Sequence, residues 1–167
     1  MRMRKRNNLE PRLEACSAIH VRDGKALRGN WRSLMPSAKA LWLEVGCGKG
    51  KFTVETARQN PDVLLVQEAM LLGMEKTLQM GLKNLVFLSL DAAELEEYFA
   101  DSEVDRLFLN FCDPWPRKKN AKRRLTHRSF LQKYENILAK NGEIHFKTDN
   151  APLFEWSLEE FEACGLE

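Results

Sequence analysis

The sequence predicts an α/β fold in which a mainly parallel, twisted sheet is covered by helices on both faces. Short apolar runs alternate along the chain with amphipathic segments of helical length. Strands that alternate with helices imply right-handed crossovers, and hence parallel pairing. No repeat, low-complexity tract or linker interrupts residues 40–167, so this part of the chain is predicted to form one domain.

Five strands and five helices are predicted in order. The strands are the buried apolar runs, such as ALWLEV, at Ala40–Val45, Asp62–Glu68, Asn84–Leu90, Val104–Phe111 and Gly142–Lys147. The helices between and after them cover Lys51–Gln59, Met70–Gly81, Ala93–Phe99, Thr126–Ala139 and Ala151–Ala163. Residues 1–39 are predicted to form a basic N-terminal arm that is polar and partly helical or irregular.

Composition excludes several classes of protein. A chain of 167 residues with 44% hydrophobic and 30% charged residues is typical of one soluble globular domain. No apolar run approaches the roughly 18 residues of a membrane span, and no apolar segment follows the basic start MRMRKR as it would in a signal peptide. The 4 cysteines include no C-x-x-C pair, so neither a disulfide framework nor a zinc site is indicated. We therefore expect a cytoplasmic protein without a metal or a membrane partner.

Positive charge is gathered in two places, although the net charge is only +2. The start of the chain, MRMRKR, contains no acid, and neither does the segment 117–124. Such clustering is typical of a surface that binds a polyanion, whereas a solvated loop is the alternative for any isolated charge run. The cations of the second cluster are Arg117, Lys118, Lys119, Lys122, Arg123 and Arg124.

A glycine-rich turn follows the first predicted strand. In LEVGCGKG, Glu44 precedes Gly46, Gly48 and Gly50, and glycine lets the backbone turn sharply and approach a ligand closely. The dinucleotide-binding pattern G-x-G-x-x-G would need a third glycine where Lys51 stands. The spacing E-x-G-x-G-x-G instead resembles the first motif of class I methyltransferases, which implies a Rossmann-like fold that binds S-adenosylmethionine. A purely structural turn is the alternative.

Acidic residues end the next two strands. In α/β sheets, ligands bind outside the carboxyl ends of the strands. Glu68 is placed there to accept hydrogen bonds from both ribose hydroxyls of an adenosine cofactor, and an exposed strand-end glutamate is the alternative. Asp91 is placed to reach the adenine amino group, or to cap the helix that follows it.

The fourth strand leads into a turn with the sequence D-P-W-P. Asp113 ends the strand, while Pro114 and Pro116 stiffen the backbone around Trp115. A strand-end acid followed by proline and an aromatic residue resembles the catalytic motif of methyltransferases that act on amine or ring nitrogens. Trp115 offers a face on which a nucleobase can stack, or it anchors the loop. Cys112 is not expected to be a nucleophile.

The longest motifs resemble those of bacterial tRNA (guanine-N7)-methyltransferases. LNFCDPWPRKKNAKRRLTHRSFLQKY and GEIHFKTDN are similar to this family's F-x-D-P-W-P-K-x-x-x-x-K-R-R-L and F-K-T-D, and the resemblance extends to LEVGCGKG and FEWSLEEF. It implies methyl transfer from S-adenosylmethionine to N7 of the variable-loop guanine at tRNA position 46. It also implies cofactor contacts for Glu44, Glu68, Asp91 and Asp113, with Asp113 also catalytic.

The resemblance further implies tRNA contacts for Arg117 and Asp149. The family usually has lysine at the position of Arg117, and a helix start is the alternative for Asp149. The nearby charge cluster is predicted to hold the tRNA backbone through Lys122, Arg123 and Arg124.

The end of the chain departs from the family pattern. Class I methyltransferase sheets normally have seven strands, and this family places a T-x-x-E tRNA-contact motif in the C-terminal hairpin. Five strands are predicted before Glu167, so we expect that hairpin to be absent, in either a fragment or a shortened natural version. The sequence leaves open whether the protein is a monomer or a homodimer. The alternative functions are a nicotinamide- or nucleotide-binding enzyme and a catalytically silent RNA-binding module that retains the fold.

Overall fold

A computed structural model describes residues 8–46 and 50–167. These residues contain six strands: β1 (His20–Val21), β2 (Ala40–Val45), β3 (Val63–Glu68), β4 (Leu85–Leu88), β5 (Val104–Asn110) and β6 (Leu138–Lys147). They form one sheet in the order β1-β4-β3-β2-β5-β6, and every neighbouring pair is parallel. The predicted parallel α/β fold is confirmed.

The same residues form six α-helices: α1 (Leu9–Ala15), α2 (Lys51–Gln59), α3 (Leu71–Gln79), α4 (Leu95–Tyr98), α5 (Arg128–Ile137) and α6 (Ala151–Ala163). Short 3-10 helices lie at Lys25–Leu27, Trp31–Leu34, Ala92–Glu94 and Lys118–Arg123. Within residues 8–46 and 50–167, none of the helices has the length and apolar character that crossing a bilayer requires.

Helices cover both faces of the sheet because the strand side chains alternate between two buried clusters. Leu41, Leu43 and Val45 of β2 point to one side, where α5 contributes Leu131 and Ile137. On the other side, Val54 and Ala57 of α2 and Met74 of α3 pack with Leu65 and Phe87. Parallel sheets need this double cover, since both faces of their strands are apolar.

The strand β6 begins earlier than predicted. Leu138 follows α5 directly and pairs with Val104, while the next registered pair joins Glu143 to Arg106. The residues between them form an irregularity in which Gly142 is packed so closely that a Cβ atom there would lie 2.9 Å from the carbonyl oxygen of Ala139. The Asn-Gly pair therefore lies within the strand, although its sequence is typical of a turn.

The described part of the N-terminal segment, residues 8–39, contributes to the core. Strand β1 pairs with β4 at one edge of the sheet, and Trp31 has 0% exposure. The Trp31 ring stacks on Phe99 with 5.1 Å between the centroids, and its indole N–H donates to the carbonyl oxygen of Tyr98 at 2.8 Å. The segment that was expected to form an arm thus supplies a strand and one of the largest core side chains.

The order of the strands fixes where a ligand can bind. The chain proceeds from β2 through β3 to β4 on one side, and β5 and β6 lie on the other side of β2. In open α/β sheets, the crevice at such a reversal lies outside the carboxyl ends of the strands. Glu68 ends β3 at this edge, and Gly46 and the D-P-W-P turn follow the ends of β2 and β5 there.

Replacing Trp31 with alanine should lower the free energy of unfolding by about 3–5 kcal/mol, because a large buried ring and its hydrogen bond are removed. Leu34→Ala, in the same 3-10 helix and 43% exposed, is the matched control and should cost far less. Equilibrium urea denaturation measures both variants. If both variants lost the same small amount of unfolding free energy, residues 8–39 would not stabilise the domain.

Candidate active site

A cavity of about 460 Å³ opens at the carboxyl edge of the sheet. Pockets for small ligands usually measure about 300–1,000 Å³, so this one is of suitable size. Its walls come from the segments that follow four different strands, together with the end of the basic 3-10 helix. They are Val45, Gly46, Glu68, Leu90, Asp91, Ala92, Cys112, Asp113, Trp115, Arg123 and Leu125.

Three of the predicted acidic site residues meet in this one cavity. Glu68 ends β3 and Asp113 follows β5, and these two strands flank β2 on opposite sides. Asp91 approaches from the segment after β4. Residues far apart in sequence therefore share one space with Trp115, and the cavity crosses the point at which the strand order reverses.

Glu68 is held by the turn that follows β2. The backbone N–H of Gly46 donates to Oε2 of Glu68 at 3.1 Å. Burial raises the pKa of the Glu68 carboxyl, the Gly46 hydrogen bond lowers it, and the negative charge of Asp91 raises it again. A ligand that donates hydrogen bonds to Glu68 would favour its ionised form.

Two glycines of the predicted loop have conformations that other residues rarely adopt. Gly46 has φ of 114°, and a Cβ atom there would lie 3.0 Å from the sulfur of Cys112. Gly50 has φ of 77°, and its Cβ would lie 3.0 Å from the Cα of Gly73 in α3. Gly46 thus lets β2 approach the end of β5, and Gly50 lets α2 begin close to α3. Gly48 lies outside the described residues.

Glu44 lies behind the cavity wall rather than in the described cavity lining. Its side chain is 1% exposed, and its carboxylate accepts hydrogen bonds from the Thr53 hydroxyl and, at 3.4 Å, from the Asn110 amide. Burial raises the pKa of Glu44 to about 7, and the Asn110 hydrogen bond opposes the shift. The carboxylate joins α2 to the end of β5 across β2, an arrangement that gives its predicted cofactor contact no support.

Asp91 caps a helix, as one of its two predicted roles requires, and it also lines the cavity. Its Oδ1 accepts from the backbone N–H of Ala93 at 2.9 Å and so caps the 3-10 helix Ala92–Glu94. The residue is exposed and also lines the cavity. One aspartate therefore caps the start of a helix and faces the space where a ligand would bind.

The D-P-W-P turn has an unusual backbone on either side of Asp113. Phe111 has φ of 52° and Trp115 has φ of 44°, both in the left-handed region. A non-glycine residue in this region typically costs about 1–3 kcal/mol and persists only where its surroundings fix it. Asp113 itself is exposed in the cavity, as a group that acts on a ligand must be.

The six clustered cations do not share one environment. Arg117, Lys118, Lys119, Lys122 and Arg123 are exposed in or beside the 3-10 helix Lys118–Arg123. Arg123 also lines the cavity, with its guanidinium carbon 4.9 Å from the centroid of the Trp115 ring. Arg124 is only 9% exposed, and its guanidinium is occupied by backbone carbonyls. The predicted phosphate contact of Arg124 therefore has no geometric support.

Asp149 is exposed after β6, but it is not in the described cavity lining. Asn150 caps α6 instead, since its Oδ1 accepts from the backbone N–H of Leu153 at 2.8 Å. Similarly, His127 caps α5, while Thr126 is buried with its hydroxyl 2.7 Å from that of Ser157. The helix start offered as the alternative for Asp149 thus lies one residue before the observed cap.

Sequence reasoning missed the partners that fix the site from behind. Thr53 and Asn110 hold Glu44, and Trp156 of α6 packs against Arg124 with 4.5 Å from the guanidinium carbon to the ring centroid. These residues belong to separate elements, so no local pattern connects them. The buried side of an amphipathic α6 was the one available signal for Trp156.

Solved structures with a similar fold include two RNA or antibiotic-resistance methyltransferases. The structure resembles that of the 16S rRNA methyltransferase KamB, with a TM-score of 0.57 and 22% identity over 82% of this chain and 74% of that one. It also resembles the aminoglycoside resistance methyltransferase NpmB1, with a TM-score of 0.55 and 20% identity over 83% of this chain and 69% of that one. At such identities, the likeness shows the fold. The carboxylates of this chain surround one cavity at the strand reversal, where sheets of this kind bind ligands.

Sequence comparison shows the family of the chain. A family profile described as "Putative methyltransferase" matches residues 38–166. Proteins named tRNA (guanine-N(7)-)-methyltransferase from Streptococcus pneumoniae strains Hungary19A-6 and R6 are each 43% identical over 171 residues, which cover 99% of this chain and 81% of the relative. The chain belongs to the tRNA (guanine-N(7)-)-methyltransferase family.

Glu44→Gln should raise the free energy of unfolding at pH 8 by up to about 3 kcal/mol, because glutamine mimics the protonated carboxyl. The folded pKa of about 7 lies above the ordinary value of 4.5. The protonated form therefore stabilises the fold fully below pH 4.5, and this contribution is lost as the pH rises to about 7.

Urea denaturation between pH 5 and pH 8 tests this expectation. The advantage of Glu44→Gln over the unchanged chain should narrow as the pH falls. Glu135→Gln, on the exposed side of α5, is the control and should show no such trend. If Glu44→Gln were less stable than the unchanged chain at pH 8, the conclusion that the buried Glu44 carboxylate destabilises the fold would be contradicted.

Proposed function

We propose that this chain transfers a methyl group from S-adenosylmethionine to N7 of the variable-loop guanine at tRNA position 46. The observation that carries this proposal is the meeting of Glu68, Asp91, Asp113 and Trp115 in one cavity beside exposed cations. Membership of the family supports the reaction and the substrate. Because tRNA is the substrate, we also propose a cytoplasmic location.

The cavity suits S-adenosylmethionine in its volume of about 460 Å³ and in the carboxylates of its wall. Glu68 is proposed to accept from the ribose hydroxyls, and Asp91 to accept from the adenine amino group, while Gly46 keeps the wall free of a side chain. When bound, this cofactor supplies a methyl group on a cationic sulfur. Carboxylates around the cavity favour a cation electrostatically.

Asp113 is proposed to be the catalytic residue. It would act by orienting the guanine and through its negative charge. N7 of guanine carries an in-plane lone pair and no proton, so no base is needed to activate it. The exposed Asp113 carboxylate can accept hydrogen bonds from guanine donors and balance positive charge that develops on the purine. Holding the reacting groups at the right distance and angle is the main catalytic effect.

Trp115 and Arg123 are proposed to hold the target base. The Trp115 ring lines the cavity, and base stacking on an aromatic ring contributes about 1–3 kcal/mol. A base taken out of the tRNA tertiary structure loses a few kcal/mol of stacking and pairing, which this contact offsets. Arg123 supplies a positive charge beside the same ring, where a phosphate of the displaced nucleotide would lie.

Arg117, Lys118, Lys119 and Lys122 are proposed to bind the tRNA backbone. All four are exposed, and they lie in or next to one short 3-10 helix that leads from the D-P-W-P turn. Phosphate contacts fix the position of a nucleic acid without reading its sequence. The cations would therefore hold the tRNA while the turn holds the base. Asp149 remains a proposed tRNA contact on the resemblance alone.

The function is tested by incubating the chain with labelled S-adenosylmethionine and unmodified tRNA, followed by nucleoside analysis. N7-methylguanosine should form. Replacing the guanine at position 46 of the tRNA with another nucleotide should abolish its formation. Asp113→Asn should retain fold and tRNA binding but lower turnover about 100-fold, since an exposed charge at the reacting base is lost.

Asp101→Asn, in the exposed turn before β5, is the control for that substitution and should keep full turnover. Turnover of Asp113→Asn equal to that of the unchanged chain would remove Asp113 from catalysis. If the unchanged chain binds tRNA but forms no N7-methylguanosine, the silent RNA-binding module becomes the better description.

The backbone contacts are tested by the salt dependence of tRNA binding. Each lost phosphate contact should reduce the slope of log K against log salt by about 0.7–0.9, so Arg117→Ala combined with Lys122→Ala should reduce it by about 1.4–1.8. Lys140→Ala, on the exposed side of β6, is the matched control and should leave the slope unchanged. An unaltered slope in the double variant would place the backbone elsewhere.

A further inference from the structure

We infer that Arg124 is a positioning residue that holds the D-P-W-P turn against α6, rather than a ligand for tRNA phosphate. The inference rests on the proposed function of the cavity. It separates Arg124 from the exposed cations that precede it, although the sequence places all of them in one charge cluster.

The guanidinium of Arg124 is occupied by the backbone of the turn. Its Nε donates to the carbonyl oxygens of Pro114 at 3.1 Å and Trp115 at 3.2 Å, and Nη2 donates to the Trp115 carbonyl at 3.0 Å. The planar fork of arginine suits two neighbouring acceptors, and hydrogen bonds from a charged donor are stronger than neutral ones. With 9% exposure, the side chain has little surface left for a phosphate.

The opposite contact of Arg124 is an aromatic ring on α6. The guanidinium carbon lies 4.5 Å from the centroid of the Trp156 ring. The His127 ring also stacks on Trp156, with 6.2 Å between the centroids and an interplanar angle of 19°. Arg124 therefore joins the carbonyls of the turn to an aromatic surface of the helix, and both contacts are favourable for a partly desolvated cation.

Thr126 and Arg128, which follow Arg124 at every second position, hold α6 in place. The Thr126 hydroxyl lies 2.7 Å from that of Ser157, and the backbone N–H of Arg128 donates to Glu160 at 2.8 Å. The Arg128 guanidinium pairs with the same carboxylate at 2.9 Å. Because these contacts hold α6 against the segment that follows the turn, Trp156 gives Arg124 a fixed support.

The residues of the turn alternate between two sides. Asp113, Trp115, Arg123 and Leu125 line the active-site cavity. The intervening residues face a second pocket of about 120 Å³ on the other side, lined by Pro114, Pro116, Arg124, Asn150, Pro152 and Leu153. Arg124 thus acts from behind the wall that presents Asp113 and Trp115.

The strained backbone of Trp115 explains why such support matters. Its φ of 44° is unfavourable for a residue with a side chain, and its carbonyl receives two of the three Arg124 hydrogen bonds. Without them, the turn is expected to relax toward ordinary φ values. That movement would displace the indole ring and the neighbouring Asp113 carboxylate from the cavity wall.

The deciding variant is Arg124→Lys, which keeps the charge but lacks the planar fork. We expect kcat to fall at least about tenfold, because small displacements at a reacting centre are costly in rate. The KM for tRNA and the salt slope should stay close to those of the unchanged chain. Lys122→Ala should show the opposite pattern, in which the KM for tRNA rises and the salt slope becomes smaller. A lower slope with full kcat in Arg124→Ala, which removes the charge, would make Arg124 a phosphate ligand and overturn the inference.

A second readout does not depend on activity. The indole N–H resonance of Trp115, assigned by its loss in Trp115→Phe, should shift or broaden in Arg124→Lys. Trp156→Leu, which keeps an apolar side chain but removes the ring, should have the same effect and serves if Arg124→Lys does not fold. An unmoved Trp115 resonance overturns the inference whatever the activity.

The two readouts separate this inference from the proposed function. If the unchanged chain forms no N7-methylguanosine but the Trp115 resonance moves in Arg124→Lys, the proposed reaction fails and the positioning role stands. If the unchanged chain is active and Arg124→Lys keeps both kcat and the resonance, the reaction stands and the positioning role fails.

Discussion

The parallel pairing of β2 with both β3 and β5 is the constraint on which the site depends. Since all three strands run in one direction, their carboxyl ends meet at one edge of the sheet. Glu68 and Asp113, which are distant in sequence, therefore face one cavity from opposite sides of β2. The apolar layers on both faces keep the strands in register. The chemistry of the cavity is thus a consequence of how the core is packed.

The cavity is bounded by groups that are unfavourable on their own and are held by their neighbours. Glu44 is a buried carboxylate whose hydrogen bonds come from α2 and β5, and Trp115 has a left-handed backbone whose carbonyl is bound by Arg124. Glu44 is buried behind the residues that line the cavity, and Trp115 lines the cavity itself. Some stability is therefore given up at the site so that the turn after β5 and the wall beside β2 keep one geometry.

Local patterns predicted most of the fold. The bounds of β2, α2 and α6 coincide with the apolar and amphipathic periods, and topology alone brought Glu68 and Asp113 together. Trp31 was missed because a single aromatic residue in a polar segment has no period. Arg123 and Arg124 are adjacent and chemically identical, so only tertiary contacts distinguish them. Arg124 contacts the carbonyls of the turn and the Trp156 ring, whereas Arg123 contacts the Trp115 ring. Features that depend on a partner from another element were beyond local inference.

The two-sided turn limits how this part of the chain can evolve. Arg123 faces the cavity and Arg124 faces away from it, so the side on which each arginine falls depends on the number of residues that separate it from Pro116. Adding or removing one residue between Pro116 and Arg123 would move Arg124 away from the carbonyls of the turn and bring a neighbouring residue to its place. Natural variants should accordingly differ in which cations they use between Arg117 and Lys122 while conserving the spacing.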